Sequence, residues 1–187
     1  MPTLTVIAGA NGSGKSTLTK QLDRPFLLID PDAIAKEINP IDPASAAIAA
    51  GREALDLSQQ YIQSESSFVV ETTFAGNTYI KLMREVKSRG WLVVLMYIGI
   101  VDPTINVLRV ADRVELGGHD VPKSDILRRY ERSLANLGKA AKMVDKLILY
   151  DNSTSAGHQP IATIEDDEKI IYVSELPSWV AKANLNI

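Results

Sequence analysis

The sequence predicts an α/β fold with a parallel β-sheet covered by helices on both faces. Short apolar runs with the character of buried strands are separated by segments of helical spacing or composition. A glycine-rich loop follows the first of these runs directly. Strands that alternate with helices form parallel sheets. The predicted strands are residues 4–9, 26–29, 67–74, 92–100 and 146–151.

The first predicted helices are bounded by capping residues. Asp30 precedes Pro31, and this pair predicts an N-cap followed by a proline in the first helical turn. Residues 44–64 are rich in helix-forming residues. The next helix is expected to begin at an Asn77 cap and to end at Gly90.

Two basic helices and a small C-terminal unit follow. The helices are expected over 103–118 and 123–146, with a break in the second near Gly138. Residues 161–174 predict a hairpin around an acidic turn, and 176–185 predict a closing helix.

Length and composition indicate a single domain over residues 1–187, with a lid at 109–130 and the C-terminal hairpin and helix at 161–187. The absence of cysteine excludes disulfides, thiolate metal sites and cysteine nucleophiles, and it fits a cytoplasmic protein. The net charge of −3 argues against a nucleic-acid partner. The longest apolar run, 91–101, is too short to cross a membrane, so no membrane association is expected.

The stretch "AGANGSGKST" fits the phosphate-binding P-loop pattern G-x-x-x-x-G-K-[ST]. Backbone N–H groups of such a loop surround phosphate oxygens, and the helix that follows adds its positive end. Lys15 should reach the β- and γ-phosphates, and the Ser16 hydroxyl should bind Mg²⁺. The expected nucleotide-binding residues are Gly9, Ala10, Asn11, Gly12, Ser13, Gly14, Lys15, Ser16 and Thr17.

Three carboxylates lie at the carboxyl ends of predicted strands, where ligands of parallel sheets bind. Asp30 is better explained as a helix cap. Asp32 serves equally well as a first-turn residue or as the base that accepts a proton from a hydroxyl. Glu71 interrupts an apolar run, which favours a polar crevice over a strand end in solvent. Thr72 and Thr73 are expected to bind substrate beside it.

Arginines on the two basic helices predict a lid that neutralises transferring phosphate. The alternative is a solvated surface, since acidic residues are interspersed among them. The arginines are Arg109, Arg113, Arg128, Arg129 and Arg132. His119 lies between the helices and is a candidate phosphate contact, whereas His158 is expected at the surface. Trp91 and Trp179 are expected to pack in the interior.

With the P-loop, the segments "LLIDPDAIAKEINP", "SFVVETTFAG", "RVADRVELGGHDVPKSDILRRYERSLANL" and "LYDNS" give the chain a resemblance to the zeta-toxin family of P-loop kinases over most of residues 1–153. The resemblance implies a nucleotide-kinase fold. It also implies that ATP or GTP is used to phosphorylate a sugar hydroxyl of UDP-N-acetylglucosamine, and that a separate antitoxin protein is the partner.

The same resemblance assigns roles to single residues. Asp32 falls at the position of the catalytic aspartate, Glu71 at that of a substrate-binding acid, and Arg113 at that of a phosphate-binding arginine. His119 stands where the family has its second arginine, and Arg128 and Arg129 follow further along, so the second lid cation is left open among Arg128, Arg129 and His119. We expect Arg128 to join Asp32, Lys15 and Arg113 in catalysis.

Two other functions remain open at this point. One is a regulatory ATPase or NTP switch without a small-molecule acceptor. The chain has no N-K-x-D guanine signature, and a switch would leave the carboxylates unexplained. The other is a polynucleotide 5′-kinase that holds an acidic strand with its arginines. The negative net charge weakens that alternative.

Overall fold

Strands and helices alternate along the chain in the computed structural model, which describes residues 1–22, 26–118, 120–166 and 168–187. The strands are β1 (Thr3–Ala8), β2 (Leu27–Ile29), β3 (Phe68–Thr72), β4 (Leu92–Gly99), β5 (Lys146–Asp151), β6 (Gln159–Glu165) and β7 (Glu168–Ile171). The helices are α1 (Lys15–Lys20), α2 (Pro31–Ile38), α3 (Ala47–Gln63), α4 (Thr78–Ser88), α5 (Pro103–Glu115), α6 (Lys123–Ala140) and α7 (Ser178–Lys182). The predicted α/β class is confirmed.

The described strands form one sheet in the order β2-β3-β1-β4-β5-β6-β7. The first five strands in this order run parallel, and β6 and β7 add the predicted hairpin as an antiparallel extension beside β5. Strand β1 therefore lies between β3 and β4. Its register pairs Ile7 with Glu71 and Ala8 with Thr72, so the carboxyl ends of β1 and β3 meet at the same edge.

Both faces of the central strands are buried, as their unbroken apolar runs predict. Neighbouring residues of a strand point to opposite faces, and Val6 and Ile7 of β1 are both fully buried. One face forms the larger core, and the other packs Ile7 with Leu18 of α1 and Met96 of β4. The P-loop helix is thus attached to the sheet beneath it by apolar contacts.

Two helix starts differ in how they are capped. The Asp30 carboxylate accepts a hydrogen bond from the Asp32 backbone N–H at 3.0 Å, which confirms the predicted N-cap of α2. Asn77 does occupy the N-cap position of α4, but its side chain makes no capping hydrogen bond. None of the described helices combines the length and apolar character needed to span a membrane.

Helix α6 continues through Gly138 but ends at Ala140, close to the expected break, so the predicted extension to residue 146 was wrong. A Cβ atom at Gly138 would lie 2.2 Å from the backbone oxygen of Ala183. The glycine therefore permits the close approach of the segment after α7, and the helix continues to Ala140.

The C-terminal helix is anchored by Trp179, whose side chain is completely buried. Its indole N–H donates to Asp151 at 2.8 Å. A Cβ atom at Gly99 would lie 2.1 Å from the indole ring, so only glycine fits beneath it. The predicted packing role of this tryptophan is confirmed, and α7 is bound to the ends of both β4 and β5.

Candidate active site

The loop between β1 and α1 adopts the conformation that its glycines make possible. Gly12 and Gly14 have positive φ angles of 73° and 96°, which side-chain-bearing residues rarely adopt. The Lys15 ammonium folds over the loop and donates to the backbone oxygens of Gly9 at 3.0 Å and Ala10 at 3.2 Å. Burial lowers the pKa of Lys15, an effect that the charges of Asp32 and Glu71 oppose.

Side chains from two distant segments hold this loop from outside. The Asn106 amide of α5 donates to the Asn11 backbone oxygen at 2.7 Å. The Asn152 amide, directly after β5, donates to the Ser13 backbone oxygen at 2.9 Å. Both asparagines are buried. Sequence reasoning missed them, although Asn152 follows a strand end and the same rule that identified Glu71 applies to it.

His158 is not a free surface residue, contrary to prediction. Its Nε2 atom lies 3.1 Å from the Gly14 backbone oxygen, and a Cβ atom at Gly14 would come within 2.9 Å of the same nitrogen. Burial is the main cause that lowers the pKa of this imidazole. A neutral ring that donates its N–H to the carbonyl fits the geometry. The polar loop after β5 therefore lies against the P-loop instead of extending into solvent.

The carboxylates lie together in front of the loop. Glu71 is only 3% exposed, and it accepts a hydrogen bond from the Ser16 hydroxyl at 2.8 Å. Asp30 and Asp32 line the same cavity as Glu71. Burial raises the pKa of Asp30, and the charges of Glu71 and Asp32 raise it further. The structure thus places Glu71 in a polar crevice, which is the interpretation that the sequence favoured.

This cavity has a volume of about 470 Å³. Its inner wall is formed by the lysine of the P-loop, the carboxylates and two threonines: Lys15, Asp30, Asp32, Glu71, Thr72 and Thr73. Tyr79 of α4 contributes to another side, and burial together with the charge of Asp30 raises its pKa to about 12. A neutral phenol therefore faces the cavity at physiological pH.

Helix α3 forms the outer wall with residues on one face. Ile48 and Leu55 provide apolar surface, and Ile48 is 74% exposed although it is a large aliphatic residue. Arg52 adds a positive charge. Gly51 lies between them, and a Cβ atom there would meet nothing within 4 Å. The wall is consequently apolar in part, cationic at one point and open in the middle.

Of the predicted lid arginines, the structure brings Arg129 to the cavity. Its guanidinium donates to the Asn11 side-chain oxygen at 3.2 Å. Arg128 points elsewhere: it pairs with Asp125 at 2.8 Å, and its side chain is 54% exposed. Successive residues of a helix project about 100° apart, so neighbouring arginines cannot share one target.

The remaining lid residues have different positions. Arg109 donates to the Thr154 backbone oxygen at 3.4 Å, and its other terminal nitrogen is buried without a hydrogen-bond partner among the described residues. Arg113 lies in the last turn of α5, and its charge contributes to the lowered pKa of Lys15, after burial. His119 lies outside the described residues, so its expected phosphate contact stays a prediction.

Comparison with known proteins matches residues 1–158 to the model of the zeta toxin family. An uncharacterised protein of Haemophilus influenzae is 42% identical over 123 residues, which are 65% of this chain and 88% of that protein. Among solved structures, the complex of AvrRxo1-ORF1 and ORF2 with ATP matches all of this chain with a TM-score of 0.71 at 17% identity. The chain spans 65% of the AvrRxo1 chain.

The PezAT chromosomal toxin–antitoxin system of Streptococcus pneumoniae is similar over 96% of this chain and 75% of that chain, with a TM-score of 0.64 at 17% identity. At such identities the two structural likenesses concern the fold. The family match is independent of them, and it covers the P-loop, the residues that line the cavity and the helices α5 and α6. The chain therefore belongs to the zeta toxin family, and its fold is that of a P-loop kinase.

Proposed function

We propose that the protein transfers the γ-phosphoryl group of ATP or GTP to a hydroxyl group of a small molecule, with a sugar nucleotide such as UDP-N-acetylglucosamine as the acceptor. One observation carries this proposal. A cavity of about 470 Å³ adjoins the phosphate loop, and Asp32 and Glu71 face it together with Lys15. A phosphate-binding loop alone would serve any NTPase, whereas a second cavity with carboxylates provides room for an acceptor.

The donor nucleotide fits the loop. Its backbone N–H groups and the Lys15 ammonium would surround the β- and γ-phosphates. Phosphate oxygens would complete the hydrogen bonding of the lysine, which donates to the loop carbonyl oxygens of Gly9 and Ala10. The AvrRxo1 structure with ATP supports ATP as a donor on this fold.

The residues present also fit a Mg²⁺ ion. Magnesium in kinases takes oxygen ligands, usually one or two from the protein and the rest from phosphates and water. The Ser16 hydroxyl lies at the start of α1 with the Glu71 carboxylate 2.8 Å away, so two oxygen groups adjoin the phosphate site. No group of three His, Cys, Asp or Glu side chains that could hold a metal ion occurs in the described ranges. When bound, the ion would neutralise charge on the phosphates.

Asp32 is the proposed base. In the transfer step the acceptor oxygen forms a bond to the γ-phosphorus as the bond to the bridging β–γ oxygen breaks, and the hydroxyl proton passes to the Asp32 carboxylate. Asp30 is less suited to this role because its carboxylate already caps α2. Glu71, buried beside Ser16, would orient the substrate and the ion.

Charge that develops on the transferred group requires cations. We assign this role to Arg113 and Arg129, with Arg129 in place of Arg128, since Arg129 is the one of these two that lines the cavity. Both lie within the proposed lid, residues 109–130. Closure of α5 and the start of α6 over the bound nucleotide would exclude water from the reaction.

The α3 wall favours an acceptor of mixed character. Ile48 and Leu55 can contact an apolar or flat group, and Arg52 can pair with an anion such as a diphosphate. A sugar nucleotide has both features. The alternatives remain distinguishable by assay, because a polynucleotide kinase would label oligonucleotides and a regulatory ATPase would only hydrolyse ATP.

The deciding experiment is a transfer assay with γ-labelled ATP and GTP against UDP-sugars, free sugars, nucleosides and oligonucleotides. We expect label on a UDP-sugar, at rates well above bare hydrolysis. Lys15→Ala serves as the inactive control, and its melting temperature reports whether it folds. Hydrolysis without transfer to any acceptor would contradict the proposal, as would labelling of oligonucleotides alone.

We propose in addition a separate antitoxin protein as partner, because the structurally similar PezAT is a chromosomal toxin–antitoxin system. This proposal retains the expected cytoplasmic location, where ATP is available. Induced expression in bacteria should arrest growth for the wild-type chain but not for Lys15→Ala. Growth without any arrest would argue that the protein is a kinase of this family without toxic action.

A further inference from the structure

Asn11, in the middle of the P-loop, is the meeting point of both lid helices. Its backbone oxygen accepts the Asn106 amide of α5 at 2.7 Å, and its side-chain oxygen accepts the Arg129 guanidinium of α6 at 3.2 Å. The residue is only 5% exposed. The P-loop pattern leaves this position unspecified, so phosphate binding by the backbone does not explain the side chain.

Helix α5 lies directly on the loop at this point. A Cβ atom at Gly12 would come within 2.7 Å of the Asn106 backbone oxygen, so the next loop residue contacts the helix backbone itself. Asn106 is completely buried, and its side-chain oxygen has no partner among the described residues. An unsatisfied buried oxygen is unfavourable for folding. Stability alone does not explain why an asparagine occupies this buried position. Its amide N–H nevertheless donates to the Asn11 backbone oxygen.

The side chain of Arg129 has few other constraints. Its contact with Asp125 is a long one, 3.8 Å, and that residue already pairs with Arg128 at 2.8 Å. A guanidinium on a flexible stem loses considerable freedom when it is fixed in one direction. The hydrogen bond to the Asn11 oxygen is shorter than the contact with Asp125, and it directs Arg129 toward the phosphate loop and the cavity.

We infer that Asn11 is a positioning residue, whose amide oxygen holds Arg129 in the direction needed to neutralise charge on the transferring phosphoryl group. The inference rests on the proposed kinase function. Asn106 of α5 holds the backbone of Asn11 in place, and Asn11 in turn holds Arg129 of α6. Both helices are therefore fixed in position relative to the P-loop at this residue. Positioned cations act mainly in the transition state, where the charge spreads. Loss of the Asn11 side chain should therefore affect the transition state more than the bound nucleotide.

The test is a double-mutant cycle read out by binding, which needs no known acceptor. The probes are MgADP with aluminium fluoride, which resembles the transferring phosphoryl group, and the non-hydrolysable ATP analogue adenylyl imidodiphosphate with Mg²⁺. Affinities are measured by calorimetry for wild type, Asn11→Ala, Arg129→Ala and the double variant. Asn11→Ala should weaken aluminium fluoride binding roughly tenfold, the scale of a hydrogen bond to a charged group, and the ATP analogue less than about threefold.

If Asn11 acts through Arg129, the double variant should bind no more weakly than Arg129→Ala alone. Asn152→Ala is the matched control. It also removes an amide that holds the loop, at Ser13, but it does not contact Arg129, so its effect should add to that of Arg129→Ala. If the affinity losses of Asn11→Ala and Arg129→Ala add up in the double variant, Asn11 does not act through Arg129. That result would overturn the inference and leave Asn11 with a structural role in the loop. A wild-type protein that binds neither probe would instead contradict the proposed kinase function.

Discussion

The inner wall of the cavity and the proposed lid differ in the elements that form them and in the contacts that hold those elements. The inner wall comes from the P-loop, the end of β3 and the start of α2, and its Glu71 is only 3% exposed although Asp32 is open to solvent. The proposed lid comes from α5 and α6, which share a small apolar cluster of Val110, Val121 and Ile126. Its outer side is open to solvent, where Leu116 is 89% exposed. The inner wall therefore depends on the main core, whereas the apolar contact between α5 and α6 near Val110 and Ile126 is a cluster separate from it.

The largest effect is expected on the inner wall, at Asp32. Asp32→Asn removes the proposed base but keeps the shape, so transfer should fall by roughly two to four decades with ATP affinity nearly unchanged. Single-turnover transfer rates and ATP titrations separate the two quantities. Asp30→Asn is the matched control, since asparagine is an equally good N-cap and this variant should keep most of its activity. If Asp30→Asn loses transfer and Asp32→Asn keeps it, the base is Asp30 and not Asp32.

The lid is best tested by its two adjacent arginines. Arg129→Ala should lower the transfer rate about a hundredfold, as loss of a positioned charge donor does in other enzymes. Arg128→Ala should change it less than about threefold, because this residue forms an exposed pair with Asp125. Transfer kinetics with saturating ATP measure both. Equal losses for the two variants would mean that the lid closes into a different arrangement from the one described.

An intermediate effect is expected at the α3 wall. Gly51→Leu places a side chain in the open part of the cavity, so acceptor phosphorylation should fall roughly tenfold or more, by analogy with overfilled interiors. ATP hydrolysis without acceptor should stay near wild type. Ala49→Leu provides the control, because it adds a similar side chain at an exposed position of the same helix. Equal rates of acceptor phosphorylation for the two variants would show that α3 does not line the acceptor site.

The smallest effect concerns stability. The pKa of Asp30 is raised in the folded protein, so its contribution to stability is fully present below the unfolded pKa and is lost as the pH rises through the folded pKa. Asp30→Asn abolishes this titration. We expect it to raise the melting temperature at pH 7 by roughly 1–2 °C, a modest shift because water still screens part of the carboxylate. The gain should vanish toward pH 4, and a gain that persists there would contradict this assignment.

The difference between the inner wall and the lid also explains which features could be predicted from the sequence. The P-loop and the strand-end carboxylates are local signals: a glycine pattern and a charge in an apolar run identify Lys15 and Glu71 before any packing is known. Asp30 was likewise identified as a cap from its place before Pro31. Each of these depends on backbone geometry that a few neighbouring residues determine.

The remaining features depend on packing between distant segments. The choice between Arg128 and Arg129 depends on the rotation of α6, which is set by the apolar contacts of the whole helix with two clusters of buried residues. Asn106, Asn152 and His158 reach the loop from segments far along the chain, and a single polar residue carries no spacing signal. Gly138 looks like a helix breaker in isolation and becomes a packing site only once α7 is present.

The buried indole of Trp179 has a consequence for where the functional unit ends. The family match stops at residue 158, but this side chain comes from beyond it, covers Gly99 and binds Asp151. Asp151 immediately precedes Asn152, which holds the phosphate loop. A chain shortened to the matched region would lose an aromatic ring from the core beside the nucleotide site. The folding unit therefore extends beyond the residues that the family model matches. The C-terminal helix, which lies outside that match, supports the P-loop through Asp151 and Asn152.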